Sequence, residues 1–112
     1  MGKRLQVRAA VDAVADPTAP PDWRNAELAS INGDVILHAG AGTLEGAWHR
    51  QDSDECLLVL EGELTVDFDA GPQTALPGEC ILIEAFERHR VRAVTGAVVV
   101  AIESHTATRL PG

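Results

Sequence analysis

Lysine is nearly missing from this chain. Lys3 is the only one in 112 residues, and 9 basic residues face 17 acidic ones, giving a formal charge of −8. The arginines are scattered singles apart from Arg88, Arg90 and Arg92. That is too little positive charge to neutralise a run of phosphates, which argues against a nucleic-acid partner. Long hydrophobic runs are missing as well. Nothing approaches the roughly 18 apolar residues of a bilayer-crossing helix, and Gln6, Arg8 and Asp12 interrupt any secretory apolar segment behind Lys3 and Arg4. Gln6 also stands where a myristoylation signal needs Ser or Thr. These absences lead to an expectation of no membrane partner and a cytoplasmic location. Cysteine is limited to Cys56 and Cys80, each in an apolar run, which in an intracellular chain reads as buried thiols rather than a disulfide or a zinc pair.

What is present suits a folded globular domain. The chain is 46% hydrophobic and 23% charged, and its length leaves room for one core and no second domain. The reading is a single domain over residues 1–112 with an N-terminal arm of about residues 1–22. The arm holds Pro17, Pro20 and Pro21. The Ala-rich run before them starts either as a strand around Leu5 and Val7 or as a short helix, and the arm either straps its own domain or crosses to another subunit.

From Ile31 onward the pattern becomes a series of short β-like runs, at residues 34–38, 43–51, 56–60, 63–68, 80–83, 88–94 and 97–103, punctuated by glycine. No helical pattern of about 10–12 residues separates them. The fold class is therefore all-β, a small antiparallel barrel or jelly roll rather than a parallel α/β sheet. Glu61-Gly62-Glu63, between two apolar runs, reads as a hairpin turn in which the glycine supplies a positive φ.

The chemistry is concentrated between Trp48 and Glu55, with Pro77-Gly78-Glu79 and His89 further on. In an extended strand Glu45, Ala47, His49 and Gln51 share one face. Imidazole and carboxyl groups inside a barrel are costly unless they are paired, hydrogen-bonded or bound to a metal, and His89 offers a further convergent donor. Arg88, Arg90 and Arg92 have the opposite parity from His89, so if His89 points inward they point outward and pair with the excess acids.

These residues resemble the cupins, small β-barrels with two motifs. The first motif resembles G-x5-H-x-H-x3–4-E-x6-G, matched here by His49, Glu55 and Gly62. The second resembles G-x5-P-x-G-x2-H-x3-N, matched by Gly78 and His89. Among cupins the chain looks most like the small single-domain proteins similar to mannose-6-phosphate isomerase. It departs from the pattern at Gln51, which replaces the second histidine. Glu84 and Phe86 replace the proline and glycine, Ala93 replaces the asparagine, and Gly42 lies one residue too far from His49.

The resemblance implies a divalent metal ion (Mn, Fe, Zn or Ni) held by His49, Glu55 and His89, with Gln51 as a weaker oxygen donor or a substrate-facing group. Glu55 and Gln51 are the catalytic candidates. The implied function is metal-dependent isomerase, cyclase, lyase or dioxygenase chemistry on a small organic molecule in the barrel. The alternative is a non-catalytic barrel that binds a small ligand and has lost full metal ligation.

Plainer roles stand beside these. His49 and His89 could be hydrogen-bonded core residues, and Glu55 could cap a turn with Asp52 and Asp54. His38 reads as structural, His105 as solvated, and Trp23 and Trp48 as packing, with Trp48 the candidate for a pocket wall. Glu84 and Phe86 are expected to narrow the mouth. Strongly anionic substrates such as sugar phosphates are disfavoured unless Arg50 reaches the pocket. A homodimer is expected, formed through an N-terminal edge strand at residues 4–14.

Overall fold

The computed structural model describes residues 1–14 and 22–112; the proline-rich part of the arm, with Pro17, Pro20 and Pro21, lies outside the described residues. Helix α1 (Val7–Asp12) is followed by strands β1 (Trp23–Ile31), β2 (Val35–Glu45), β3 (His49–Gln51), β4 (Glu55–Gly62) and β5 (Leu64–Phe68). Then come β6 (Gly71–Ala75), β7 (Cys80–Ile83), β8 (His89–Ser104) and β9 (Arg109–Pro111). All strand pairings are antiparallel, as the all-β reading requires.

Strand β8, with 16 residues, organises the barrel. Its C-terminal half lies between β2 and β4, pairing Val98 with Ala41 and Val99 with Val59. Its N-terminal end lies between β3 and β5, where His89 faces His49 on one side and Phe68 on the other. Beyond these, β1 extends β2, β7 extends β4, β6 extends β5 and β9 extends β3. The two runs expected at residues 88–94 and 97–103 are thus one strand, because Gly96, at φ +98°, bends it without ending it.

The hairpin expected at Glu61-Gly62-Glu63 does not form. Strands β4 and β5 do not pair with each other; both run antiparallel to β8, one after the other along its length. Gly62 is a corner in that path. Its φ is +76°, and a Cβ there would come within 2.2 Å of the Gly96 carbonyl oxygen, so the two bends are packed backbone to backbone. The hairpins lie elsewhere. Strands β1 and β2 turn through Asn32 and Gly33, at φ 55° and 72°, the left-handed pair that matches strand twist in a tight turn. Strands β5 and β6 turn between Phe68 and Gly71, which are register partners.

The inner face of the barrel carries the main core. Val59, Leu64, Val66 and Ile83 are fully buried, packed with Trp23, Leu57 and Val99. The outer face carries a smaller cluster in which Val11 of α1 sits on Ala39, Ala41 and Val98. Burying a valine of this kind is worth roughly 2 kcal/mol. It fixes residues 7–12 as a helical strap on their own barrel, so these residues do not form the strand edge anticipated for a dimer contact.

Candidate functional site: a chamber with a two-histidine cluster

Strand β3 is only three residues long, and its neighbours hold it on both sides. His49 is opposite His89 on β8, and Gln51 is opposite Arg109 on β9. Three bonds fix the loops beside it. Phe86 N donates to Gln51 O (2.7 Å), Ala85 N to Asp54 Oδ1 (2.8 Å) and Thr108 N to Asp52 Oδ1 (2.7 Å). Asp52 and Asp54 therefore tie the surrounding loops together, while Glu55 starts the next strand. Phe86 occupies the glycine position of the second motif at φ +66°, so the backbone keeps the left-handed turn although the side chain has changed. Such a residue carries a strain of about 1–2 kcal/mol.

The two imidazoles meet, with ring centroids 4.3 Å apart and planes inclined by 57°. Each is held through Nδ1 by a backbone carbonyl: His89 donates to Glu87 O (2.8 Å) and His49 to Ala47 O (3.0 Å). His89 is fully buried, and its Nε2 has no partner among the described residues. Burial holds its pKa below the ordinary imidazole value, against the opposing bond to Glu87, which keeps the ring neutral at pH 7. His49 Nε2 lies 3.1 Å from Gln51 Oε1. The other end of the amide, Gln51 Nε2, is buried with no partner in hydrogen-bonding geometry among the described residues, although the amide lies close enough to Glu55 to favour its ionised form.

Glu55 turns toward Glu103, its register partner on β8. Two carboxyl groups directly opposite on one face cannot both ionise cheaply. Burial, then the Glu103 charge and a hydrogen bond with Glu103, push the Glu55 carboxyl up to about 8; the Gln51 amide and Arg109 pull the other way without prevailing. His38 Nε2 lies 3.7 Å from Glu103 Oε1, which gives that histidine a place at the edge of the cluster that the sequence did not suggest.

A chamber of about 520 Å³ opens beside this cluster. Trp23, Leu44, Leu57, Leu64, Val91 and Val99 form its apolar wall, and Asn25, His49, Gln51, Glu55 and Arg109 its polar end. An adjoining recess passes His38, Glu103 and Thr108. Several expectations change here. Trp23, with Nε1 bonded to Asn25 Oδ1 at 3.1 Å, is the tryptophan that walls the chamber. Trp48 lies instead beneath the guanidinium groups of Arg88 and Arg90, 4.2 and 5.3 Å from its ring centroid. Arg50, Glu84 and Phe86 do not line the chamber, and Phe86 is 60% exposed. Arg109, on the chamber rim, was missed because the C-terminal tail has no motif; its placement comes from β9 pairing with β3.

Comparison with known proteins agrees with this architecture. Residues 33–104 match the Cupin domain family. The chain is a cupin. It is 33% identical over 81 residues to the protein YdbB of Bacillus subtilis (strain 168), covering 70% of this chain and 71% of that one. Among solved structures, the polyketide cyclase RemF from Streptomyces resistomycificus superposes with a TM-score of 0.76 at 18% identity, covering 99% of this cupin and 85% of RemF. The protein NMB1881 from Neisseria meningitidis gives 0.71 at 23% identity, covering 91% and 99% of the respective chains. An RmlC-like cupin from Shewanella frigidimarina NCIMB 400 gives 0.70 at 17%, covering 83% and 85%. At these identities the three solved structures share the fold.

The cupin motifs imply a metal, and the side chains meet that demand only in part. His49 and His89 are adjacent, and His89, held through Nδ1 with Nε2 unpaired, has the hydrogen-bonding pattern typical of a metal-ligating histidine, whereas His49 Nε2 is taken up by Gln51 Oε1. The third donor does not join them, since Glu55 is engaged with Glu103, and His89 lies behind the chamber wall rather than on it. Among the described residues, no three His, Cys, Asp or Glu side chains converge on a common point. As placed, the donors form a two-histidine pair and not a three-ligand site.

Proposed function

We propose that this cupin binds a small organic molecule in its barrel through its own side chains. The apolar body rests on the wall formed by Trp23, Leu44, Leu64 and Val99, and the polar group meets His49, Gln51 and Glu55. The observation that carries this reading is the 520 Å³ chamber with a buried, partnerless nitrogen, Gln51 Nε2, at its polar end. A buried donor left unpaired costs about 1–3 kcal/mol, a cost that a bound acceptor removes. Pockets of this size, with an apolar wall and a few converging polar groups, suit small-molecule ligands. In chemical terms, the Glu55 proton is already shared with Glu103, so His49 and Gln51 are the groups at the polar end that face a carbonyl or hydroxyl oxygen, while the wall excludes water from the ligand body.

The test is a binding screen with a blocked chamber. Val99→Phe fills the space beside Trp23 and should abolish binding of any small molecule that raises the thermal midpoint of the wild type. Binding that survives in Val99→Phe places the ligand elsewhere.

A second reading is favoured by one observation, the partnerless Nε2 of the fully buried His89. On this reading His49, Gln51, Glu55 and His89 rearrange around a divalent ion (Mn, Fe, Zn or Ni), and the barrel works as a metal-dependent enzyme. Metal analysis of untagged protein distinguishes the two. Near-stoichiometric metal that is lost in both His49→Ala and His89→Ala supports the metal reading. Metal-free protein whose midpoint does not respond to any of the four ions supports direct binding.

A further inference from the structure

The identity of the ligand's polar group can be taken further, on the reading that the chamber is a ligand site. Arg109 is the one lysine or arginine lining the chamber among the described residues. It makes no ion pair within 4.0 Å with a described carboxylate, whereas Arg8, Arg88, Arg90 and Arg92 all do. Its register partner is Gln51. Directly opposite residues on paired strands project to the same face with Cβ atoms about 5 Å apart, so the guanidinium and the amide serve the same volume. Gln51 is 9% exposed, and its Nε2 has no acceptor in hydrogen-bonding geometry among the described residues. A fork of N–H groups with a free charge, next to a second unsatisfied N–H group, is complementary to a planar group with two acceptor oxygens.

We propose that the ligand is a small organic acid whose carboxylate is held between Arg109 and Gln51 Nε2, with its apolar body against Trp23, Leu44, Leu64 and Val99. The overall charge of −8 makes such a local cation necessary. Net negative charge repels an approaching acid on average, and an exposed arginine on the rim provides a local point of capture. The amine-binding alternative has Glu45 and Glu55 on its side, since both line the chamber, and this makes the choice of head group a sharp test.

The experiment uses three probes with one body and different heads: hexanoate, hexanamide and hexylamine. Each is titrated into the full chain and followed by isotope-edited NMR and by thermal midpoint. Hexanoate should bind about tenfold more tightly than hexanamide, and hexylamine more weakly still. Arg109→Gln should weaken hexanoate more than hexanamide until that preference is gone. Arg109→Lys, which keeps the charge but not the fork, should restore part of it. Arg50→Gln makes the same change in net charge outside the chamber and should leave all three affinities unaltered. Equal binding of acid and amide, tightest binding of the amine, or a preference that persists in Arg109→Gln overturns the organic-acid assignment and leaves the chamber reading in place. If no probe shifts a chamber-lining resonance at millimolar concentration, both fail together.

Discussion

Asp67 and Glu55 are two carboxyl groups beside β8, and their surroundings treat them in opposite ways. Asp67, on the outer side, is 8% exposed. It accepts from Arg92 Nε and Nη2 at 2.6 and 2.9 Å and from Arg90 Nε at 2.7 Å. Those bonds, Arg92's foremost, outweigh burial and hold the carboxyl down at about 2. Glu55, on the inner side, faces another glutamate and is pushed up to about 8. The contrast extends to their neighbours. Outside, Arg88 pairs with Asp69 at 2.8 Å and covers Trp48. Inside, Gln51 Nε2 and His89 Nε2 have no partner in hydrogen-bonding geometry among the described residues. The Asp67 carboxylate on the outer side is satisfied within the protein, whereas on the inner side Gln51 Nε2 lines the chamber and is open to a guest, and His89 Nε2 is sealed behind its wall.

The largest expected effect concerns Glu55. A carboxyl whose folded value exceeds its ordinary 4.5 keeps a proton that the unfolded chain has already released. Its contribution to stability is therefore intact below about pH 4.5 and is lost as pH rises toward 8, by an amount on the order of 3 kcal/mol. Denaturant unfolding across this window should show the decline in the wild type and a much flatter profile in Glu55→Gln. An equally steep decline in the variant would assign the slope to another group.

Asp67→Asn comes next, with an expected loss of about 2 kcal/mol at neutral pH, moderated by the partial exposure of Arg90 and Arg92. Here the sign reverses. The folded value lies below the ordinary one of 3.8, so the stabilisation is present above that value and disappears as pH falls toward 2. Acid unfolding of the variant should lack this component. The smallest effect is the most discriminating. Gln51→Met removes the partnerless Nε2 together with the Oε1 contact to His49; the two largely offset, so stability should change by less than about 1 kcal/mol while the preference for hexanoate is eliminated. A loss of about 2 kcal/mol or more would show that both ends of the amide are already satisfied and would erase the difference between the two sides.

Much of this arrangement could be read from the sequence where one residue's parity or a motif spacing was enough. His89 inward with Arg88, Arg90 and Arg92 outward follows from alternation along one strand. The spacing of His49 and His89 within two separate motifs anticipates their meeting across β3 and β8. Glu103 and Arg109 were not legible, because their importance depends on which strand lies opposite them. The same limitation explains Gly62. A glycine between two apolar runs signals a positive φ, and the residue has one, but a hairpin and a sheet corner share that local signature. Only the proximity of Gly96 distinguishes them. Phe86 shows the reverse case, in which a motif position lost its residue type and kept its backbone geometry.

Strand β8 has partners along both edges at both ends, so the two walls of the barrel share one continuous piece of backbone. Neither wall can melt while the other persists, because doing so would break pairings that belong to both. Unfolding should therefore occur as a single transition, with amide hydrogens at the centre of the valine-rich strand the last to exchange with deuterium and those of the three-residue β9 among the first.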